Sequence, residues 1–194
     1  MMSLKNIIII VFVTTFFIAC NQHYAPKPRG YFRIDLPKKS YVKLDTSFPY
    51  TFEYPAYATI SDDPYSPKEK NWINVNFPSF KAVLHISYEP VHNNLDKLLN
   101  DAHTLVSKHI PKADAIYDSL IYHPEKHIYG LAFKIEGLGT ASAYQFYVTD
   151  SVKNYLRGAL YFNLKPNNDS LAPVIDFLEK DIDHMVNTMK WKNN

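Results

Sequence analysis

The 194-residue chain has a single cysteine, Cys20, and only five glycines. One cysteine excludes an internal disulfide and leaves too few thiolates for a cysteine-based zinc site. The sequence has no internal repeat or low-complexity tract. Its formal net charge is only +2, so the chain has no strong overall field that would attract nucleic acid or an acidic substrate. Nucleic-acid binding is therefore not expected.

The longest apolar stretch, Ile7–Ile18, ends just before that cysteine. Lys5 places a positive charge ahead of the stretch, and the small residue Ala19 follows it. A cation, about a dozen mostly apolar residues and a small residue are typical of an export signal. The stretch is shorter than the roughly 20 apolar residues of a membrane-spanning helix, so we expect it to be cleaved.

The four residues Phe17-Ile18-Ala19-Cys20 resemble a bacterial lipobox, in which signal peptidase cleaves before a cysteine that carries diacylglycerol. We expect residues 1–19 to be a lipoprotein signal peptide and Cys20 to be the lipidation site. Diacylglycerol and an added N-acyl group supply three chains, enough for stable anchoring in the lipid bilayer. A soluble secreted protein with a free N-terminal thiol is the alternative.

Cleavage leaves 175 of the 194 residues, enough for one domain with its own core. Residues 20–30 contain two prolines and a glycine, which predicts a lipid anchor followed by an extended tether. Residues 31–194 are expected to form a single globular domain. Cations and aromatics alternate after the anchor, and they are candidate contacts for anionic head groups or for a partner protein. These candidates are Tyr24, Lys27, Arg29, Tyr31 and Arg33. Simple docking of the tether on a sheet edge is the plainer interpretation.

Alternating apolar and polar residues predict strands through most of the remaining chain. The predicted strands are Tyr31–Ile34, Tyr41–Leu44, Tyr50–Tyr54, Trp72–Phe77, Ala82–Tyr88, Ala115–Tyr122, His127–Glu136, Ala141–Thr149 and Asn154–Leu164. Residues 61–68 are rich in turn residues and charges, so we expect a surface loop there. The short connections favour sequential antiparallel pairing.

Two segments have the period of an amphipathic helix. One begins after Asn94, a candidate N-cap, and ends before Pro111. The other begins near Asp169 or Ser170 and tolerates Pro173 in its first turn. The order strands, helix, strands, helix predicts an α+β fold with a mostly antiparallel sheet flanked by two helices. That order is similar to the PsbP-like α/β/α sandwich.

The sequence contains no convincing metal or catalytic constellation. His123 and His127 have a spacing found in some zinc sites, but Pro124 lies between them at a predicted turn. No G-x-S-x-G motif occurs. Pairs of acids, namely Asp62 with Asp63, Glu179 with Asp181, and Asp181 with Asp183, are interpreted as solvated surface charges, and His85 as a solvent-facing strand residue. We therefore predict no cofactor, no metal and no enzymatic activity.

Arg157 is the remaining candidate site residue, because it lies in an apolar strand on the face shared with Tyr155 and Tyr161. An arginine among tyrosines either forms stacking and ionic contacts within the fold or binds a carboxylate on a partner. Both interpretations stay open at this point.

Several stretches together resemble one known family. They are Tyr24 to Pro37 (YAPKPRGYFRIDLP), Tyr50 to Pro55 (YTFEYP), Trp72 to Pro78 (WINVNFP) and the tail from Leu156-Arg-Gly-Ala-Leu-Tyr-Phe to Trp191-Lys. They resemble the gliding-motility lipoprotein GldD family of the Bacteroidetes. The resemblance implies a lipoprotein needed for gliding over surfaces and, through the same machinery, for type IX protein secretion. It implies no catalytic residue or cofactor, and it carries over only Cys20 as a site.

The expected function is therefore that of an accessory lipoprotein which binds other envelope proteins of the gliding and secretion machinery. A periplasmic ligand-binding lipoprotein with an aromatic-lined pocket is the alternative, and an unrecognised hydrolase is a more distant one. No acidic cluster follows Cys20 to resemble a surface-export signal, so we expect the domain to face the periplasm, anchored to the inner or outer membrane.

Overall fold

A seven-stranded antiparallel sheet forms the centre of the computed structural model, which describes residues 34–45, 47–164 and 168–192. The strands are β4 (Thr59–Asp62), β5 (Ile73–Phe77), β6 (Ala82–Pro90), β7 (Ala115–His123), β8 (Ile128–Glu136), β9 (Ser142–Thr149) and β10 (Asn154–Phe162). Their order across the sheet is β4-β5-β6-β10-β9-β8-β7. Each half of the sheet pairs sequentially, as the short connections predict, and the β6–β10 pair joins the halves.

Two helices cover opposite faces of this sheet. They are α1 (Leu95–Ser107) and α2 (Asn168–Thr188). The face that packs on α2 carries Leu84, Ile86, Phe146 and Leu160, all buried in the main core with Leu178 of that helix. The opposite face packs on α1 through a smaller core that includes Phe133, Tyr147 and Tyr155. The predicted α+β class, with a mostly antiparallel sheet between two helices, is therefore confirmed.

Four very short strands lie outside the main sheet. They are β1 (Tyr41–Lys43), β2 (Tyr50–Thr51), β3 (Glu53–Pro55) and β11 (Lys190–Trp191). β1 pairs with β3 and β2 pairs with β11, both antiparallel. The strand predicted over Tyr50–Tyr54 is thus interrupted at the buried Phe52, and its two halves have different partners. The prediction of one continuous strand was wrong because alternation does not reveal which strand each half will pair with.

Other boundaries differ by small amounts. β4 takes the first two residues of the predicted 61–68 loop, and pairing with β5 overrides their turn propensity. β10 ends at Phe162, two residues before the predicted end. Asn94 stands at the N-cap position of α1, but its side-chain oxygen accepts from the backbone N–H of His92 at 2.7 Å rather than from the helix.

The predicted signal peptide (1–19), Cys20 and the tether (20–30) lie outside the described residues. The predicted strand Tyr31–Ile34 also lies outside them, apart from Ile34, which has no strand structure. The candidate contact residues Tyr24, Lys27, Arg29, Tyr31 and Arg33 fall in the same part of the chain.

Candidate functional site

A groove opens beside α1, on the sheet face that this helix covers only in part. The groove has a volume of about 280 Å³, and we call it the Arg157 groove. β5, β6 and β10 form its floor, and α1 contributes Leu98, Ala102 and Leu105 to one side. The other lining residues are Asp63, Tyr65, Trp72, Asn74, His85, Ile86, Ser87, Glu89, Asp101, Tyr155 and Arg157.

Strand register brings the polar floor residues together. Asn74 of β5 is paired with His85 of β6, and Ser87 of β6 is paired with Arg157 of β10. Because alternate residues of a strand point to the same face, His85 and Arg157 lie diagonally on neighbouring strands. Two of the stretches that resemble the family, those beginning at Trp72 and Leu156, both contribute to this floor.

Arg157 is half-buried and has no ion-pair partner among the residues that the structure describes. One guanidinium nitrogen, Nη2, donates a hydrogen bond to Oε1 of Gln145. A guanidinium has five N–H donors, so a single acceptor leaves most of them for water or a ligand. Within the described residues, Arg157 therefore does not form the ionic contact inside the fold that was one of its two interpretations.

Gln145 is the deeper partner of this arginine and is only 1% exposed. Its Oε1 accepts from Arg157, which fixes the orientation of the amide and leaves Nε2 as the donor on the other side. That Nε2 is buried without a hydrogen-bond partner within the described part of the chain. An unpaired buried donor costs about 1–3 kcal/mol, so the buried Nε2 of Gln145 lowers the stability of the fold while the Oε1 hydrogen bond to Arg157 offsets part of that cost.

His85 lies on the groove side of β6, opposite in register to Leu84 and Ile86, and is half-buried because Asn74 and Tyr161 lie against its ring. Nδ1 lies 2.7 Å from Oδ1 of Asn74, so in the neutral ring this nitrogen carries the proton and Nε2 is an acceptor. The ring edge meets Tyr161 at a centroid distance of 5.6 Å. Burial lowers the pKa of His85; nearby Asp63 raises it and Arg157 lowers it further. The net effect favours the neutral imidazole.

Hydrogen bonds to backbone carbonyls hold the aromatic walls of the groove. The indole N–H of Trp72 donates to the carbonyl of Tyr88 at 3.0 Å. The hydroxyl of Tyr155 donates to the carbonyl of Leu98 at 3.3 Å, which ties β10 to α1. These bonds orient the rings before any ligand arrives, so little side-chain entropy remains to be lost on binding.

Three carboxylates line the same groove. Burial raises the pKa of Glu89, and the nearby Glu69 raises it further, while Trp72 and Lys97 act in the opposite direction. Asp101 pairs with Lys97 at 3.1 Å on the exposed surface of α1. Asp63 is the third. The groove thus combines one arginine with several acids.

A second polar cluster, which we call the Asp181 cluster, lies on the other side of the sheet. Asp181 of α2 is fully buried, so its interpretation as a solvated charge was wrong. Its carboxylate accepts from Lys39 Nζ at 2.6 Å, from the Tyr41 hydroxyl at 2.7 Å and from the Tyr57 hydroxyl. Lys39 also lies 3.9 Å from the centre of the Phe177 ring. All three donors come from the N-terminal part of the domain, so the cluster joins that part to α2.

A larger cavity of about 450 Å³ lies between β7 and α2. Its charged groups Lys134, Glu179 and Asp183 already have partners: Tyr144 donates to Asp183 at 2.8 Å, and Lys134 pairs with both Asp176 and Glu179. The Arg157 groove, with unpaired donors, is the better candidate site. Within the described ranges, no three histidines, cysteines or acids are placed to hold a metal ion. In the same residues, no helix is long and apolar enough to cross a membrane.

The sequence from residue 21 to residue 191 matches the family described as gliding motility lipoprotein GldD. This match covers most of the chain, so the protein belongs to the GldD family of gliding motility lipoproteins. A comparison with curated proteins found no match. Among solved structures, the chain is similar to the solution structure of cyanobacterial PsbP (CyanoP) from Synechocystis sp. PCC 6803. The TM-score is 0.47 at 11% identity, over 87% of this chain and 100% of that one.

Proposed function

We propose that this protein is a membrane-anchored accessory lipoprotein of the gliding machinery and of the type IX secretion that depends on it. The family match over residues 21–191 is the observation that carries this proposal. The protein acts by binding other envelope proteins rather than by catalysis. Residues 1–19 are removed, acylated Cys20 holds the protein in the bilayer, and the domain from residue 31 faces the periplasm.

The Arg157 groove supplies a surface for such binding. It is open to solvent, its aromatic walls are held in place, and Arg157 has donors without an acceptor in the described residues. Tyr24, Lys27 and Arg29 of the tether, with Tyr31 and Arg33 at the start of the domain, are further proposed contacts with head groups or partners, because their charge and aromatic character suit an interface.

In-cell photo-crosslinking tests this proposal. A photoreactive amino acid replaces Ser87 in the groove, and in a matched strain it replaces the exposed Lys153, which directly precedes β10 and does not line the groove. We expect the Ser87 position to yield a defined adduct with another envelope protein and the Lys153 position to yield none. Recovery of the protein alone from both strains would count against a partner-binding role.

The alternative function, a periplasmic ligand-binding lipoprotein, is favoured by the small volume of the groove and by the Arg157 donors that have no acceptor in the described residues. A ligand that binds the folded state raises the melting temperature by mass action. A thermal-shift screen with the full chain in detergent therefore separates the two functions. A single compound class that raises Tm, together with no crosslinked partner, would favour ligand binding.

A further inference from the structure

The floor of the Arg157 groove can recognise a ligand only through side chains. β5, β6 and β10 are interior strands, each with a hydrogen-bonded neighbour on both sides. Their backbone N–H and C=O groups are used in the sheet, so an extended peptide cannot add to them as a further strand. A suitable occupant therefore carries its polar groups at its ends and presents a less polar body to the walls.

The charges of the groove call for a ligand with both signs. Arg157 on the floor has unused donors in the planar arrangement that matches a carboxylate. Asp63, Glu89 and Asp101 line the same cavity, and because Asp101 already pairs with Lys97, Asp63 and Glu89 are the two carboxylates left to face a cation. A purely anionic ligand would be repelled by these acids, and a purely cationic ligand would leave Arg157 without an ionic partner.

The walls suit an aliphatic or planar stem between the two charges. Trp72 and Tyr155 present aromatic rings, and Leu98 and Leu105 of α1 present aliphatic side chains. Lysine and arginine side chains pack their methylene stems on such surfaces while their charged ends stay near solvent and acids. The volume of about 280 Å³ admits one such residue rather than a long segment.

A free amino acid fits less well than the last residue of a polypeptide. In a free amino acid, an ammonium group stands next to the carboxylate and would face the Arg157 guanidinium. In a C-terminal residue, a neutral amide takes that place. We infer that the Arg157 groove binds the carboxyl-terminal lysine or arginine of a partner polypeptide. The terminal carboxylate lies on Arg157 and the side-chain cation lies toward Asp63 and Glu89. This inference rests on the proposed partner-binding function and specifies its chemistry.

Peptide binding to the full acylated chain in detergent micelles tests the inference. The probe is Ala-Ala-Ala-Arg with a fluorophore on its N-terminus, followed by fluorescence anisotropy. Three competitors remove one feature each: the C-terminal amide of the same peptide, Ala-Ala-Ala-Leu, and free L-arginine. We expect each to bind roughly tenfold more weakly or worse, because each loses one ionic contact or places an ammonium beside Arg157.

Protein variants provide the matching controls. Arg157→Met removes the guanidinium, and Arg157→Lys keeps a charge but loses the bidentate geometry. Both are expected to weaken binding of the free-acid peptide, Met more than Lys, and to leave the weak binding of the amide peptide unchanged. Lys153→Met removes an exposed positive charge outside the groove and is expected to have no effect.

Equal affinity for the free-acid and amide peptides, or no saturable binding, would overturn the inference. Both results are obtained with the wild-type protein, so they do not depend on whether a variant folds. Free L-arginine binding as tightly as the peptide would also overturn it, in favour of an amino-acid receptor. These results leave the proposed function standing if a crosslinked partner is found. Conversely, specific peptide binding with no partner in cells would contradict the proposed function but not the chemistry of the groove.

Discussion

Asp181 joins the second helix to the N-terminal part of the domain through three donors. It is a fully buried carboxylate, and an amine and two hydroxyls donate to it. A buried charge is tolerated only when such donors satisfy it. The helical period alone places position 181 near the edge of the apolar stripe of α2, where an aspartate is ordinarily solvated. The sequence could not reveal its burial because the donors lie about 140 residues earlier in the chain.

We expect Asp181→Asn to destabilise the fold by about 3 kcal/mol, because the amide has no charge for Lys39 and only one oxygen to accept hydrogen bonds. The free energy of unfolding in urea measures this effect. Asp176→Asn on the same helix is the matched control: Asp176 is exposed and pairs with Lys134 at the surface. Its loss should cost less than about 1 kcal/mol. Equal effects of the two variants would show that Asp181 is not a buried, charged anchor.

His85 and Gln145 illustrate a different limit at the residue scale. Alternation places both on one sheet face, but it does not tell how much of that face a helix covers. α1 covers Phe133 and Tyr147 and leaves the groove beside Arg157 open. The shared face of Arg157 with Tyr155 was predictable from strand period; the contact between Arg157 and Gln145 required the register of β9 and β10.

At the scale of elements, β1 is held against α2 through the hydroxyl of Tyr41. Burial, the hydrogen bond to Asp181 and the charge of that carboxylate raise the pKa of Tyr41 to about 12. The protonated tyrosine is therefore favoured by folding. The stabilisation that the protonated Tyr41 hydroxyl provides is complete below the ordinary tyrosine pKa near 10. It is lost as the pH rises toward the pKa of Tyr41 in the folded protein.

We therefore expect the urea midpoint to fall between pH 10 and about pH 12, with the loss spread over the tyrosines whose pKa is raised by burial. Burial also raises the pKa of Tyr57, Tyr144 and Tyr155, all in the same direction. Tyr41→Phe should reduce the slope of stability against pH in this range. An unchanged slope would contradict the assigned role of the Tyr41 hydroxyl.

The edge strand β7 offers a direct test of register. Leu120 is 74% exposed, whereas its neighbour Ile121 is 8% exposed and belongs to the main core. We expect Leu120→Lys to change the free energy of unfolding by less than about 0.5 kcal/mol. Ile121→Lys should cost several-fold more, because it buries an unpaired ammonium. Similar effects of the two substitutions would mean that β7 is rotated or covered.

Long, strongly periodic elements were predictable from sequence, whereas among the four short strands only β1 matches a predicted strand of its own, Tyr41–Leu44. The six predicted strands and two predicted helices from Trp72 onward correspond to observed elements within a few residues. β2, β3 and β11 have only two or three residues each and exist because a partner strand is nearby. No local pattern specifies a two-residue strand, and the β2–β11 pairing forms only when residues about 140 positions apart are brought together.

At the scale of the whole molecule, the layered α+β architecture follows from the order of elements, since each apolar helix face must cover a sheet face. The position of the Arg157 groove does not follow from the order of elements. One fold can support many functions. The groove around Arg157 is formed by side chains from three strands and one helix. The family assignment rests instead on residues 21–191 taken together.

We propose that a lipid-anchored form of this protein is required for gliding and for the secretion linked to it. The most direct measurement is a clean gene deletion in the source bacterium, complemented with the wild type or with Cys20→Ala at matched protein levels. Surface spreading and the proteins released to the medium are scored together. We predict that the deletion abolishes both and that only the wild type restores them. Normal gliding and secretion in the deletion strain would contradict the account.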